Sequence, residues 1–208
     1  MNPKLRFDPD IALAHLRAGD AELAAQINRI GPFALELKSA DSLFEALLQS
    51  IIYQQLHGKA AAMIHGRVLV ILKKLGGPNA EALTGATDEA LRGAGLSRAK
   101  LAAVRDLAAK CIEGTVPTMR AASKMADDEL VTRLSEVRGI GPWTVHMLLI
   151  FYLGRPDVMP TGDFAIRLAF KELYRKCKDP TPEVIVKHAR RWQPYRSVAS
   201  WYLWRSLD

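Results

Sequence analysis

Cysteine is scarce in this sequence, which has 208 residues but only two cysteines, Cys111 and Cys177. Neither stands near a second cysteine at C-x-x-C spacing or near a histidine at metal-ligand spacing. The histidines His65, His146 and His188 have no paired ligands either, so we expect them to be packed or surface residues. The scarcity argues against a metal centre built from side chains, and we expect both thiols to be reduced and structural.

Long apolar runs are also absent from the chain. No segment approaches the about 20 apolar residues of a membrane span, and the N-terminal segment MNPKLRFDPDIALAHLRAGD has no apolar signal core. We therefore expect a soluble, intracellular protein. Because 49% of the residues are hydrophobic and no low-complexity tract occurs, the chain can form one compact unit or two small subdomains with a real core.

Helical periodicity runs through nearly the whole sequence. No segment shows a stronger alternation of apolar and polar residues, the pattern of a half-buried strand. Helix starts are predicted at the DPD segment that begins with Asp8, at Ser42 with Glu45 as a capping box, and at Thr87. Glycine and proline clusters mark the turns, at residues 19–20, 31–32, 76–78, 93–95, 114–117, 139–142, 154–160 and 179–182. The predicted fold class is all-α.

Basic residues outnumber acidic ones, 29 to 22, which gives a formal net charge of +7 and a pI near 9.5. This balance suits a surface that meets a polyanion such as nucleic acid. Many basic proteins bind nothing anionic, so the net charge alone does not decide whether this protein binds nucleic acid. A Gly-x-Gly-like turn that enters a basic helix, in LRGAGLSRAKLAAV from Leu91 to Val104, is either a backbone-contact turn or a packing turn.

The most informative segment is a Gly-Ile-Gly hairpin followed by an apolar helix. Gly139 and Gly141 permit positive φ values and a close backbone approach, and Pro142 suits a first helical position. The exposed N–H groups and the positive end of the helix dipole then form an anion site. A nucleic-acid phosphate fits such a site, although a plain helix-helix turn would have the same tripeptide.

A lone aspartate, Asp163, opens the next predicted helix after Thr161 and Gly162. The amphipathic run of that helix comprises Phe164, Ile166, Leu168, Ala169, Phe170 and Leu173. Aspartate is favoured at an N-cap because it accepts hydrogen bonds from backbone N–H groups, which also favour its ionised form. The same environment would hold a carboxylate anionic toward developing positive charge. Cap and catalyst are compatible roles for this residue.

Three ordered segments carry a family resemblance. LSEVRGIGPWTVHMLLIFYLGRPDVMPTGDFAIR, from Leu134 to Arg167, resembles the helix-hairpin-helix and Gly/Pro-Asp loop of the base-excision DNA glycosylase superfamily (HhH-GPD), and most closely its alkylated-base branch, 3-methyladenine DNA glycosylase II. QSIIYQQLHGKAA, from Gln49 to Ala62, resembles the segment that this branch inserts into DNA. WQPYRSVASWYLWRSL, from Trp192 to Leu207, resembles its C-terminal signature. The resemblance covers the chain from about Ser42 onward.

The resemblance implies two helical subdomains with a DNA-binding cleft between them. The central bundle would span about 51–158, including the hairpin at 134–150, and the second bundle would comprise 1–50 and 159–208. The expected partner is double-stranded DNA that contains damaged bases. The protein is expected to be a monomer. Some relatives carry an iron-sulfur cluster on four cysteines, which a chain with two cysteines cannot build.

The resemblance also implies the roles of the site residues. Asp163 would be catalytic, and Trp143 and Trp204 would line the base pocket. Gln55 would fill the gap left by a flipped nucleotide while His57 enters the minor groove. Without the resemblance, Gln54 or Gln55 could simply cap a helix and His57 could be a surface residue.

Contacts with the DNA backbone are implied for the hairpin and the helix after it, at Gly139, Gly141 and Thr144. The resemblance further implies a monovalent cation, Na+ or K+, on the backbone carbonyls of the hairpin. Its ligands would be Ser135, Val137 and Ile140. Arg138 stands where the superfamily pattern often has proline, and a basic side chain there suits a phosphate. No other cofactor is expected.

Trp143 occupies the hairpin position where relatives that also cleave the DNA backbone have a lysine nucleophile. Because an indole cannot form a Schiff base, the resemblance implies a monofunctional enzyme that only hydrolyses the N-glycosidic bond. Asp163 would stabilise the oxocarbenium-like sugar, and the cationic alkylated base would leave without a general acid. We interpret Asp157 as a loop-fixing residue rather than the catalyst. Arg167 could hold Asp163 or a phosphate, or be a solvated charge.

Two alternatives remain open from the sequence. The first is a glycosylase for another lesion, such as hypoxanthine, ethenoadenine or a mismatched base. The second is a non-catalytic DNA-binding protein that keeps the helix-hairpin-helix for phosphate contact alone. The joint presence of Asp163, Trp143 and Trp204 favours an enzyme, because a binding module needs no such set.

Overall fold

The fold is all-helical throughout the part of the chain that the computed structural model describes, residues 5–174 and 180–208. No strand occurs in those ranges, which confirms the predicted class. The helices are α1 (Pro9–Gly19), α2 (Ala21–Ile30), α3 (Leu43–Tyr53), α4 (Gly58–Lys74), α5 (Ala80–Gly85), α6 (Asp88–Gly93), α7 (Arg98–Ile112), α8 (Met119–Ala122), α9 (Asp127–Leu134), α10 (Pro142–Phe151), α11 (Phe164–Leu173), α12 (Pro182–Ala189) and α13 (Arg196–Arg205), with a 3-10 turn at Arg190–Trp192. None of these helices is long and apolar enough to cross a bilayer.

The predicted helix starts are confirmed by their side-chain caps. Asp8 accepts a hydrogen bond from the N–H of Asp10 at 2.8 Å and begins α1. The Ser42 hydroxyl accepts from the N–H of Glu45 at 3.2 Å at the start of α3. Thr87 caps α6 in the same way. Each cap satisfies an N–H group that would otherwise lack an intrahelical partner, so the local sequence fixes where these helices begin.

The helices form two compact units. One comprises residues 40–145 and is called the central unit here; the other comprises 1–39 and 146–208 and is called the terminal unit. The boundary at 145/146 lies within α10, so this helix contributes its first residues to one unit and its remainder to the other. The sequence-based expectation had set the boundaries near residues 51 and 158.

The central unit is organised around α7. This helix packs against α3 and α5, and α4 packs against α3. Arg105 on α7 joins the neighbouring helices, because its guanidinium contacts the carboxylate of Asp88 at 2.6 Å and the carbonyls of Leu83 and Ala86. Large buried side chains of this unit are Leu43, Leu47, Leu48, Ile51, Ile52 and Leu72.

The Gly-x-Gly-like turn before α7 is explained by packing. Gly95 has a φ of 111°, and a Cβ built on it would lie 2.9 Å from Cγ1 of Ile64 on α4. Any larger residue would therefore both strain the backbone and displace a neighbouring side chain. Of the two readings left open by the sequence, the structure favours the packing turn.

The terminal unit has a core of aromatic and aliphatic side chains. Its largest fully buried members are Trp192, Tyr202 and Phe170. Helices α11 and α13 pack together, and α13 also packs against α1 and α2. This arrangement gathers the two ends of the sequence into one core, which the local patterns did not indicate.

The cysteine and histidine side chains that could bind a metal have other surroundings in the structure. Cys111 is a free, half-buried thiol whose pKa is raised to about 11 by burial. His65 packs edge-on against Tyr53, and His188 is hydrogen-bonded in the terminal unit. No group of three potential metal-binding side chains occurs among the described residues. Cys177 lies outside the described ranges.

A buried carboxylate, Asp20, ties the terminal unit together. Its Oδ2 accepts hydrogen bonds from the Tyr174 hydroxyl at 2.7 Å, the Trp192 indole at 2.9 Å and His188 Nε2 at 2.8 Å. Its Oδ1 accepts from the N–H of Leu23 at 3.0 Å and caps α2. Burial alone would raise the pKa of this carboxyl, but these hydrogen bonds outweigh it and hold the pKa well below its usual range.

We predict that Asp20→Asn destabilises the protein by about 2 kcal/mol at neutral pH, because buried donors lose a charged acceptor. Since the folded-state pKa is lowered, the stabilisation is fully present above the unfolded-state pKa of about 4 and is lost as the pH falls below it. Thermal unfolding of both proteins from pH 7 to pH 3 measures this, with the exposed Asp10→Asn as control. A stability difference that stays constant as the pH falls would contradict the assignment.

Candidate active site and nucleic-acid interface

Asp163 caps α11 in the terminal unit, as the sequence predicted. Its N–H donates to the carbonyl of Pro160 at 2.9 Å, which closes the turn before the helix. Its Oδ1 accepts from the N–H of Ile166 at 2.9 Å. The residue is only 9% exposed. The first turn of α11 therefore places its N–H groups and positive dipole end against this carboxylate.

Trp204 lies beside this carboxylate. Its indole Nε1 donates to Asp163 Oδ1 at 3.2 Å, although the two residues are 41 positions apart. The indole also stacks on Phe151, with ring centroids 5.6 Å apart and an interplanar angle of 26°. Asp163 and Trp204 are thus brought together by the fold. A hydrogen bond and a stacked neighbour fix the orientation of the indole.

Phe151 is a member of the site that the sequence analysis missed. It ends α10 inside an apolar run, where an aromatic residue reads as core. In the structure its carbonyl accepts from the N–H of Lys38 at 2.7 Å, and the Lys38 ammonium lies 5.6 Å from its ring centroid. Lys38 and Phe151 are more than 100 residues apart, so no local pattern could have revealed the contact between them.

The loop before Asp163 is fixed by Asp157. This carboxylate binds Arg196 through two contacts, 2.7 Å to Nε and 3.0 Å to Nη2. Next to it, the N–H of Val158 donates to the Ser197 hydroxyl at 2.9 Å. Both partners begin α13, the helix that carries Trp204. The loop-fixing interpretation of Asp157 is confirmed, and its ion pair connects the segments that present Asp163 and Trp204.

The predicted apolar face of α11 is partly wrong. Ile166, Ala169 and Phe170 are buried, whereas Phe164 is 78% exposed and Leu168 is 36% exposed. With about 100° per residue, positions 164 and 168 fall on the opposite side of the helix from 166 and 170. The composition of the run suggested one apolar face, but two of its members point away from the core. Arg167 is also exposed.

The hairpin connects α9 and α10 in the central unit. Gly139 has a φ of 80°, as expected, and the N–H of Ile140 donates to the carbonyl of Val137 at 2.9 Å. The N–H of Arg138 donates to the Asp106 carboxylate at 2.7 Å. Buried Val137 and Ile140 side chains anchor the turn to the core. The hairpin is therefore a rigid connection held from both sides.

Both glycines permit a positive φ, but only Gly139 adopts one. The reason lies in the turn, which reverses at Gly139 and has already returned to ordinary backbone by Gly141. No atom lies within 4 Å of a Cβ built on Gly141, so that glycine borders open space. This space leaves room for a ligand to approach the backbone.

The first turn of α10 presents one indole to solvent. Pro142 occupies the first helical position, as predicted, and Trp143 is 47% exposed. Thr144 is only 6% exposed, so little of this residue is open to a ligand. The half-exposed indole therefore borders the N-terminus of α10.

The turn between α3 and α4 comprises residues 54–57 and is called the wedge turn here. Gln55 is exposed and has a φ of 56°, which is rare for a residue with a side chain. This conformation costs about 1–2 kcal/mol. His57 is also exposed and begins α4 without a side-chain cap. Gln54 Nε2 donates to the Gly139 carbonyl at 2.8 Å, so its amide binds the hairpin instead of capping a helix.

The match to known proteins agrees with this geometry. Residues 48–194 match the family described as HhH-GPD superfamily base excision DNA repair protein, and they include the wedge turn, the hairpin and Asp163. The chain belongs to this superfamily. The resemblance inferred from the three sequence segments is thereby confirmed.

Individual members of the superfamily are similar over most of this chain. DNA-3-methyladenine glycosylase 1 of Schizosaccharomyces pombe is 39% identical over 163 residues, 78% of this chain and 72% of that protein. The solved structure of the S. pombe 3-methyladenine DNA glycosylase Mag1 in complex with abasic DNA has a TM-score of 0.80 at 35% identity, covering 94% of this chain and 95% of that one. DNA-3-methyladenine glycosidase of Bacillus halodurans has a TM-score of 0.84 at 32% identity, covering 94% and 88%.

The strain at Gln55 can be measured. We predict that Gln55→Gly is about 1 kcal/mol more stable than Gln55→Ala, because glycine adopts this φ without steric cost. At the exposed helical position Ala62 the order should reverse, and Ala62→Gly should cost about 1 kcal/mol. Urea unfolding of the three variants and the natural protein provides the comparison. If Gln55→Ala proves as stable as Gln55→Gly, the wedge turn does not hold that backbone conformation in solution.

Proposed function

We propose that this protein is a monofunctional DNA glycosylase of base excision repair. It flips an alkylated base of the 3-methyladenine or 7-methylguanine type out of duplex DNA and hydrolyses its N-glycosidic bond. The observation that carries the proposal is the Asp163 carboxylate, which caps α11 and accepts a hydrogen bond from Trp204. The chain that presents it is similar to proteins named DNA-3-methyladenine glycosylase. The partner is double-stranded DNA with damaged bases.

Asp163 acts on the sugar rather than on the base in this proposal. As the glycosidic bond breaks, positive charge develops on the deoxyribose, and a fixed anion stabilises it without reorganisation. An alkylated purine is already cationic and leaves neutral, so no general acid is required. This distinguishes the site from glycosidases that need a carboxylate pair. Water completes the hydrolysis, and we assign Asp163 to orienting it.

The chemistry stops at the abasic site in this proposal. Trp143 stands at the hairpin position where a lyase needs a lysine amine, and an indole forms no Schiff base. Instead we assign Trp143 to stacking on the flipped base. The electron-rich face of an indole gains a cation–π interaction of about 0.5 to 2 kcal/mol with a methylated, cationic purine that it does not gain with a neutral base.

The wedge turn fills the gap that the flipped nucleotide leaves. The exposed side chain of Gln55 is assigned to the vacated stack, and His57 to the minor groove beside it. The strained backbone of Gln55 supports this role, since strain of this kind persists only where the surrounding contacts enforce it and is concentrated at functional sites.

The hairpin grips a DNA phosphate through backbone groups near Gly139, Gly141 and Thr144. A monovalent cation fits the same turn on the carbonyls of Ser135, Val137 and Ile140. The Val137 carbonyl accepts one hydrogen bond, from Ile140, and so keeps a second lone pair, while the Ser135 hydroxyl is buried without a partner. When bound, such an ion would add positive charge beside the phosphate.

The direct test uses Asp163→Asn. Asparagine caps helices as well as aspartate does and still offers an oxygen to Trp204, so the fold should persist while excision of 7-methylguanine from methylated duplex DNA falls at least about 100-fold. Asp8→Asn, at the exposed N-cap of α1, is the control for the loss of a capping carboxylate. Release of free base is followed by chromatography, with hypoxanthine and ethenoadenine duplexes in parallel. If the natural protein binds DNA and releases no base, it is a binding module; release of those bases alone assigns another lesion.

Trp143→Ala tests the assigned stacking role. We predict a loss of about 3- to 30-fold in single-turnover excision of cationic 7-methylguanine and a smaller loss for neutral hypoxanthine, because only the former has a cation–π interaction to lose. Trp143→Phe should retain part of the preference. Trp201→Phe, a substitution of a half-buried indole, serves as a control for general effects of tryptophan removal. Equal losses on both substrates would remove the electrostatic basis of the selectivity.

The cation is tested by exchange of salts. At constant ionic strength, replacement of K+ or Na+ by tetramethylammonium should weaken binding to duplex DNA by about tenfold, since an ion too large for the turn leaves the phosphate without its counter-charge. Gel-shift titration gives the affinities. Identical affinities in all three salts would show that the hairpin works without a bound ion.

A further inference from the structure

The wedge turn lacks the usual devices that end a helix. Helix α3 has no basic residue in its last turn, and the chain leaves it through Gln54 with an extended ψ of 131° before Gln55 enters the left-handed region. A glycine would normally occupy such a position. Something outside the turn therefore has to hold its conformation.

Lys100 on α7 supplies part of that hold. Its ammonium donates to the carbonyl of Ile52 at 2.5 Å and to the carbonyl of Gln54 at 2.8 Å. A positive charge at the C-terminal carbonyls of a helix is favoured by the dipole, and charge-assisted bonds are stronger than neutral ones. Burial lowers the pKa of Lys100, in keeping with an ammonium taken out of bulk water. Lys100 thus caps α3 at the start of the wedge turn.

The same helix also holds the hairpin. Asp106 accepts from the N–H of Arg138 at 2.7 Å. Ala103 packs beneath the turn, since a Cβ built on Gly139 would lie 3.5 Å from the Ala103 methyl. Lys100, Ala103 and Asp106 follow at intervals of three residues, so they lie along one side of α7.

One further bond closes the network. The Gln54 side chain donates from Nε2 to the Gly139 carbonyl at 2.8 Å. Its backbone carbonyl is the one that accepts from Lys100. The wedge turn and the hairpin are therefore joined to each other directly, and each is joined separately to α7.

We propose that Lys100, Gln54 and Asp106 are positioning residues that lock the wedge turn to the hairpin, so that gripping the DNA backbone and filling the vacated stack occur as one rigid action. The inference rests on the proposed function, because it concerns how that function's two DNA-contacting segments cooperate. None of the three residues is assigned to the chemistry. Their effect passes through Gln55 and Gly139.

Lys100→Met is the principal variant, because methionine keeps the apolar stem and removes the two hydrogen bonds. Lys100→Arg restores a positive charge with several N–H donors. Lys110→Met removes a lysine from the same helix whose ion pairs, to Glu113 and Glu136, are both 3.8 Å long, and it is the matched control. Four quantities are measured for each: single-turnover excision, affinity for undamaged duplex, thermal stability, and fluorescence of 2-aminopurine placed opposite an abasic analogue, which reports insertion of the wedge.

Lys100→Met should lower single-turnover excision and the 2-aminopurine response about tenfold, while affinity for undamaged duplex stays within about twofold. Lys100→Arg should recover most of both, and Lys110→Met should match the natural protein. In a double-mutant cycle, Lys100→Met combined with Gln54→Leu should lose less than the product of the single losses, because both changes release the same turn.

The proposal is overturned if Lys100→Met behaves as Lys110→Met does, or if excision, duplex affinity and thermal stability decline together with no recovery in Lys100→Arg. The second outcome would mean that Lys100 supports only the fold. The fluorescence assay uses an abasic analogue and needs no catalysis. It therefore decides the inference even if the natural protein excises no base, the result that would refute the proposed function alone.

Discussion

The hydrogen bond between the Trp204 indole and the Asp163 carboxylate is the contact on which the account of the site depends. It brings together the C-terminal helix α13 and the turn that begins α11, which local sequence cannot do. The neighbouring contacts serve the same arrangement. The Asp157–Arg196 ion pair fixes the loop before Asp163, and Phe151 stacks on the indole. A carboxylate held this tightly needs little rearrangement when charge develops near it, which is the condition for electrostatic catalysis.

The wedge turn and the hairpin, which we propose contact DNA, are built differently from the site around Asp163. Asp163 is held by ordinary helix-capping geometry, whereas the wedge turn keeps Gln55 in a conformation that costs free energy. Proteins tolerate such strain when surrounding contacts impose it. Lys100 and Gln54 supply contacts of this kind, and the Gln54 side chain also binds the hairpin. The strained backbone that presents the Gln55 side chain therefore lowers the stability of the central unit.

Much of the local structure could be predicted from the sequence. Helix caps at Asp8, Ser42, Thr87 and Asp163 were found because capping depends on residues three or four positions apart. The hairpin and the family were found because their motifs are short and ordered. The all-helical class followed from periodicity. In each case the signal lies within a few turns of helix.

What could not be predicted depends on distant partners or on helix orientation. Three kinds of contact join distant residues. Lys100 binds Gln54, 46 positions away, and Trp192 binds Asp20, 172 positions away. Phe151 stacks on Trp204, which lies in a different motif. Phe164 was counted in the apolar run of α11, yet it is 78% exposed, since periodicity does not say which side of a short helix the core will cover. Gly139 and Gly141 both permit a positive φ but only Gly139 adopts one, because a G-x-G motif does not specify which glycine carries the reversal.

The central claim is that Asp163 recognises positive charge on the sugar of a flipped nucleotide. Its most direct measurement compares the affinity for two duplexes, one with a pyrrolidine nucleotide that carries a cation in place of the sugar ring and one with a neutral tetrahydrofuran nucleotide. We predict that the natural protein prefers the cationic duplex by about 100-fold and that Asp163→Asn binds the two equally. An equal preference in both proteins would contradict the electrostatic role of Asp163.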